Sequence, residues 1–248
     1  MRLLLIGAVC LGWISPCLAQ EKTESRSTNG SEQAREAEST ADVTEPELRD
    51  ELLEMMEVDQ AARRKMIAAM NQARTEGGQE PGGPLRFTGE ANRAFKKVIQ
   101  VDAASRKRMK EIIAKYGWPG KSMVGEKGAH AAWILVQHAD KDVEFQTECL
   151  KLMTEAPAGE VSGKDVAYLT DRMLMNSGQK QRYGTQLDGD YKPLPVEDPE
   201  KLDQRRAEVG LNPIAEYIQQ VRDSYENASE EEDDDGDGDD DGDSSPAD

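Results

Sequence analysis

The sequence has little cysteine, little histidine and no long apolar run. Cys10 and Cys17 fall within the first nineteen residues, so a chain that loses its leader keeps only Cys149 and can form no internal disulfide. Its stability must then come from a core, and the roughly 180 residues between the polar ends suffice for one domain. The only histidines are His130 and His138. Eight residues apart on one helix, they are separated by about 12 Å of rise and cannot share an ion. Glu126 with His130 supplies two metal ligands and nothing supplies a third, so neither a metal site nor a cofactor is expected. No segment beyond the leader approaches the ~20 apolar residues that span a bilayer. Strand alternation, a phosphate loop, a nucleophile elbow and a dinucleotide fingerprint are all missing.

Basic residues are missing from the C-terminus, where residues 229–248 hold twelve acids and no base. The formal charge of −18 becomes −6 without them. The acidity belongs to an appendage, which argues against nucleic acid as the partner. Asp233, Asp235, Asp237 and Gly238 imitate the start of a calcium loop, but Ser244 stands where the twelfth-position Glu belongs. The expectation for 228–248 is a disordered acidic tail whose only chemistry is weak calcium association.

What is present begins with a leader: Arg2, an apolar stretch from Leu3 to Ile14, Pro16, and small residues ending at Ala19. This reads as a signal peptide over 1–19, cut near Ala19, and hence as a secreted or periplasmic protein. Residues 20–43 carry almost no large apolar side chain and read as a disordered linker. An all-α domain is expected over 44–227. A Thr44/Glu47 capping box opens a first helix that runs to about Gln72, with apolar positions at Leu52, Met56, Met66 and Met70. A second helix carries Phe95, Ile99, Met109 and Ile113 and stops at Gly117. The third spans Val124 to Ala139, a fourth follows Asp142, and a fifth runs from Gly163 to Asn176 behind a Ser162/Asp165 cap. Gly178 to Val196 reads as a long ordered loop or a flap. Asp198-Pro199 and Asn212-Pro213 start two more helices, for a bundle of about seven.

Polar residues fall where the core belongs. Asp59 and Arg63 share the apolar stripe of helix one, and Asp102 and Arg106 share that of helix two. Each Asp stands four residues before its Arg, the spacing of an intrahelical pair. Two readings stand: structural ion pairs that fix register, or charges that line a pocket. In helix three, Glu126, His130, Trp133, Gln137 and Asp140 make one stripe on an otherwise apolar helix, facing either a cavity or solvent. His138, near the helix C-terminus, reads as a structural cap. On helix five, Tyr168, Asp171 and Arg172 stand away from the Val166, Leu169 and Met173 face, either solvated or facing Tyr183 to Gln186.

The segments Tyr116-Gly117-Trp118-Pro119-Gly120, Val136-Gln137-His138-Ala139-Asp140, Tyr168-Leu169-Thr170-Asp171-Arg172 and Tyr183-Gly184-Thr185-Gln186 occur in this order. Together with Asp59-Gln60 and Arg205-Arg206, they resemble an uncharacterised bacterial family of unknown function, DUF6624, from about Leu48 to Tyr217. The resemblance supports the domain limits and implies no activity. Two functions therefore remain. In the first, the chain is an exported helical binding or interaction domain whose polar pocket holds a small molecule, peptide or envelope component. Its lining would come from Asp59, Arg63, Asp102, Arg106, Glu126, His130, Trp133, Gln137, Asp140, Arg172, Tyr183 and Gln186. In the second, it is a hydrolase or transferase with His130 as general base, oriented by Asp59 or Asp171.

Overall fold

The computed structural model describes the backbone of residues 43–77 and 89–233, and side chains over 43–73 and 89–224. The leader 1–19, the linker 20–43 apart from Val43, and the tail beyond Asp233 lie outside the described residues. Among the described residues the protein is all-α. Its helices are α1 (Pro46–Gly77), α2 (Gly89–Tyr116), α3 (Lys121–Gln137), α4 (Val143–Glu155), α5 (Gly163–Asn176), α6 (Leu202–Glu208) and α7 (Ile214–Asp233). A 3-10 turn, Pro199–Lys201, leads into α6.

The apolar spacing of α1 and α2 makes them an antiparallel pair. Ala62, Met66 and Met70 pack against Ala91, Val98 and Val101 at one end, while Leu52 joins Met109, Ile112 and Ile113 in the main core at the other. The second element of that core is α3, which the sequence makes apolar on most sides. Every residue from Ala131 to Ala139 is buried. Alanine at 129, 131 and 132 lets neighbouring helices approach it closely. Phe145, Cys149 and Met153 of α4 and Ala167, Tyr168 and Leu169 of α5 complete the core, with Tyr217 and Val221 of α7.

Several boundaries differ from the sequence expectation. α1 continues to Gly77, five residues past Gln72. α3 begins at Lys121, but Gly125 at φ 74°, ψ 170° interrupts it, so the regular helix starts close to the expected Val124. A side chain strongly disfavours that conformation, which is why glycine stands there. α7 runs into the acidic run as far as Asp233, consistent with glutamate being a good helix former.

The expected caps differ more. Helix α1 starts at Pro46, and the Glu45 carbonyl accepts from Arg49 N, so Glu45 takes the cap position expected for Thr44. The Thr44 and Glu45 amides instead donate to the carbonyls of Ser122 and Met123, tying the start of α1 to the start of α3. Ser162 precedes α5 but makes no side-chain cap bond. Asp198 makes none either and lies in the left-handed region at φ 37°. The α7 amide of Ile214 is capped from a distance, by Asp203 Oδ1 of α6 at 2.7 Å. Capping from another helix leaves no local sequence signal.

Candidate functional site

The Asp59 carboxylate, 1% exposed, accepts from Arg63 Nε one turn along α1 at 3.2 and 3.3 Å and from Gln60 Nε2 at 3.0 Å. The His138 ring, at the C-terminal cap of α3, presents Nδ1 to the same carboxylate at 3.0 and 2.9 Å. Arg63 Nη2 reaches across to α2 and donates to Asp102 Oδ1 at 2.6 Å. One guanidinium thus bridges two carboxylates and lies beside an imidazole. The expected Asp102–Arg106 pair does not form. Arg106 faces Asp142 instead, at 3.7 Å, because packing α2 against α1 gives Asp102 a better-placed cation than its own helix offers.

The electrostatics follow from this placement. Burial works against the Asp59 charge, but His138 and Arg63 together outweigh it and hold the pKa below its ordinary value. Burial, with the Arg63 and Arg172 charges, lowers the pKa of His138, and Asp59 pulls the other way. Asp102 is pushed up to about 6 by burial, Arg63 opposing, with Asp59 and Asp140 adding to the rise. The site therefore holds an ionised carboxylate, a neutral imidazole and a carboxyl that titrates near neutrality.

Beside it, Asp140 forms a forked pair with Arg172 of α5, both bonds at 2.7 Å. Asn176 Nδ2 donates to the same carboxylate at 3.1 Å. Burial raises the Asp140 pKa, but Arg172 and Asn176 override it and bring it to about 2. Gln146 of α4 closes this edge, donating to the carbonyls of Val136 and Gln137 and accepting from Asn176. Along α2 from Asp102, Arg106 and Lys110 share Asp142. That residue lines a groove of about 300 Å³ with Lys110, Ile113, Phe145 and Glu148.

Asp171 points to the other side of α5 and is fully buried. It accepts from the backbone amides of Arg182, Tyr183 and Thr185 and from Thr185 Oγ1, at 2.7 to 3.2 Å. Burial raises its pKa, and these donors pull against the rise. Gln181, also fully buried, donates to the carbonyls of Gln186 and Leu194 and accepts from Gln186 N. Arg206 holds the carbonyls of Tyr183 and Asn212, Arg205 those of Arg182, Glu197 and Asp198, and Tyr217 Oη that of Thr185. The 178–196 loop is thus fixed by side chains in place of a ladder.

Residues 46–229 match a family of unknown function. The chain belongs to DUF6624. No curated protein and no solved structure shows a match. The segments that carry the DUF6624 resemblance join in space: Asp59 meets His138, Asp140 meets Arg172, and Asp171 holds the Tyr183–Gln186 turn.

Other candidates from the sequence fall elsewhere in this DUF6624 chain. His130, the expected partner of Asp59 or Asp171, lies against Trp133 with ring centroids 5.1 Å apart; the histidine at Asp59 is His138, two turns further on. The helix-three stripe does not face one space. Glu126 is exposed and pairs with Lys121, Trp133 is buried with its Nε1 on the Asp165 carbonyl, and Gln137 is buried. Tyr168, Asp171 and Arg172, which one reading left solvated, are all buried. Gln186 is buried in the loop, its Nε2 on Thr185 Oγ1, and Tyr183 is half-buried beside Arg182. The sequence reading overlooked His138 as a site residue, and Gln146, Asn176 and Gln181 altogether. Their signal was the repeated occurrence of amides near the Val136–Asp140 and Tyr183–Gln186 segments.

Proposed function

We propose that this chain is a binding domain for a small polar ligand, with the cluster Asp59, Arg63, Asp102 and His138 as its site and Asp140 and Arg172 as its wall. One observation carries the reading: after all internal bonds are made, the cluster keeps hydrogen-bonding capacity. Asp102 Oδ2, His138 Nε2 and Arg63 Nη1 have no hydrogen-bond partner among the described residues. A purely structural network in an α-helical core tends to use all its polar atoms. Two acceptors and a donor within one cluster suit a ligand with hydroxyl and carbonyl or carboxylate groups.

A thermal-shift panel of amino acids, short peptides and sugars tests this. At least one class should raise the melting temperature of the wild type and leave Asp102→Asn and His138→Gln unshifted. A ligand that stabilises all three equally binds elsewhere, and the assignment of this site then fails.

We also infer export, supported by the charged, apolar and small-residue order of residues 1–19. N-terminal sequencing of material from the producing cell should start at Gln20. A chain that still begins at Met1 contradicts it.

A further inference from the structure

We propose that His138 is a general base: its Nε2 takes the proton of a water or ligand hydroxyl bound at the cluster, while Asp59 holds the ring through Nδ1. This deepens the binding reading and rests on the same site.

The geometry assigns the tautomer. Nδ1 lies 2.9 Å from one Asp59 oxygen and 3.0 Å from the other. An ionised carboxylate only accepts, so Nδ1 carries the hydrogen and Nε2 the lone pair. Arg63 Nε also lies 3.1 Å from Nδ1, but two N–H groups cannot bond one another. Its hydrogen therefore goes to Asp59, whose oxygens are 3.2 and 3.3 Å away. Among the described residues, every hydrogen bond of the His138 ring is on Nδ1. No buried side-chain nitrogen or oxygen among the described residues lacks a partner. Nε2 is therefore not fully buried, although only 6% of the side chain is exposed. An imidazole fixed by a buried carboxylate on one nitrogen and open on the other is arranged to accept a proton.

The surrounding charges fit that task. Asp59 and Arg63 face the ring from α1, Asp102 stands across Arg63 on α2, and Asp140 and Arg172 act from the α3 end and α5. Burial and the two guanidiniums keep the resting imidazole neutral, which a base requires. In the step, the ligand O–H bond breaks and an N–H bond forms at Nε2. The imidazolium is then compensated by Asp59, and the negative charge left on oxygen lies in the field of Arg63. Loss of that proton from Nε2 to solvent restores the base. The ligand class is thus an O–H compound, with water as its smallest member.

The test uses the full chain and its two histidines. Nitrogen-15 NMR of imidazole-labelled protein, with His130→Gln to assign the signals, should show His138 as the neutral Nδ1–H form at pH 7, titrating below 6.5. Diethyl pyrocarbonate should acylate His138 at Nε2. Its rate should rise with pH through that same titration and fall about tenfold or more in Asp59→Asn. An Nε2–H tautomer, or a His138 that the reagent leaves untouched in the folded chain, overturns the proposal. Both readouts are made on chains that retain His138, so they stand even where His138→Gln does not fold. A ligand that binds at the cluster while His138 proves inert leaves the binding site intact and removes only the base.

Discussion

Asp59 and His138 are 79 positions apart in the chain, yet their carboxylate and imidazole meet at 2.9 Å. The contact joins the middle of α1 to the end of α3 and is sealed by Arg63, which Asp102 holds from α2. Three helices therefore converge on one polar point inside an apolar bundle. Burying these groups is expensive unless each has partners.

Asp59→Ala should cost about 2–4 kcal/mol, since it leaves His138 without its acceptor and Arg63 with one carboxylate in place of two. Denaturant melts of variant and wild type at pH 7 measure it. A difference under about 0.5 kcal/mol, the range of ordinary surface changes, would show that the cluster does not hold the helices together.

Asp102 predicts an opposite pH trend to that of a typical paired carboxylate. Its pKa rises from 3.8 to about 6 on folding, so the folded state binds the proton more tightly. That contribution to stability is full below 3.8 and lost as the pH rises through 6. Asp102→Asn abolishes the dependence. Relative to wild type, the variant should gain about 1–2 kcal/mol between pH 4 and pH 8, less than the full linkage value because the group is partly exposed. A variant whose relative stability does not change with pH would contradict the shift.

Asp140 behaves in the usual sense. Arg172 brings its pKa to about 2, so the pair stabilises the fold above 3.8 and the benefit is lost as the pH falls towards 2. Asp140 is 38% exposed, which limits the effect. Arg172→Ala should cost about 2–3 kcal/mol at pH 7, and the gap from wild type should narrow below pH 4. Arg172→Lys should recover less than half, since one ammonium cannot match both fork bonds. Full recovery by lysine would mean that charge alone matters.

Asp171→Ala strips the acceptor from three backbone amides and one hydroxyl. The expected loss is about 3 kcal/mol or more, with new cleavage sites within 178–196 on limited proteolysis. An unchanged digestion pattern would show that Gln181, Arg205 and Arg206 suffice to fix the loop.

Gly125→Ala tests the break in α3. At φ 74°, ψ 170° a Cβ should cost about 1–3 kcal/mol, seen as a lower melting temperature. A neutral result would show that α3 straightens without penalty.

Much of this protein follows from its sequence alone. Apolar spacing decided that Leu52 and Met109 are core, that α3 is wrapped on several sides, and that Asp59 on the apolar stripe of α1 must be buried. A helix has one period, and that period is written locally. The family segments likewise marked Asp140, Asp171 and Arg172 as positions of interest. Only the tertiary structure decided which charge meets which. Asp102 chose Arg63 over its neighbour Arg106, His138 and not His130 reached Asp59, and Asp203 capped a helix eleven residues away. Pairing across helices depends on rotation and crossing angle, which the sum of many packing contacts sets and no local spacing records. The helix-three stripe shows the limit most clearly, because one face of a helix meets several neighbours along its length, and Glu126, Trp133 and Asp140 ended in three different surroundings.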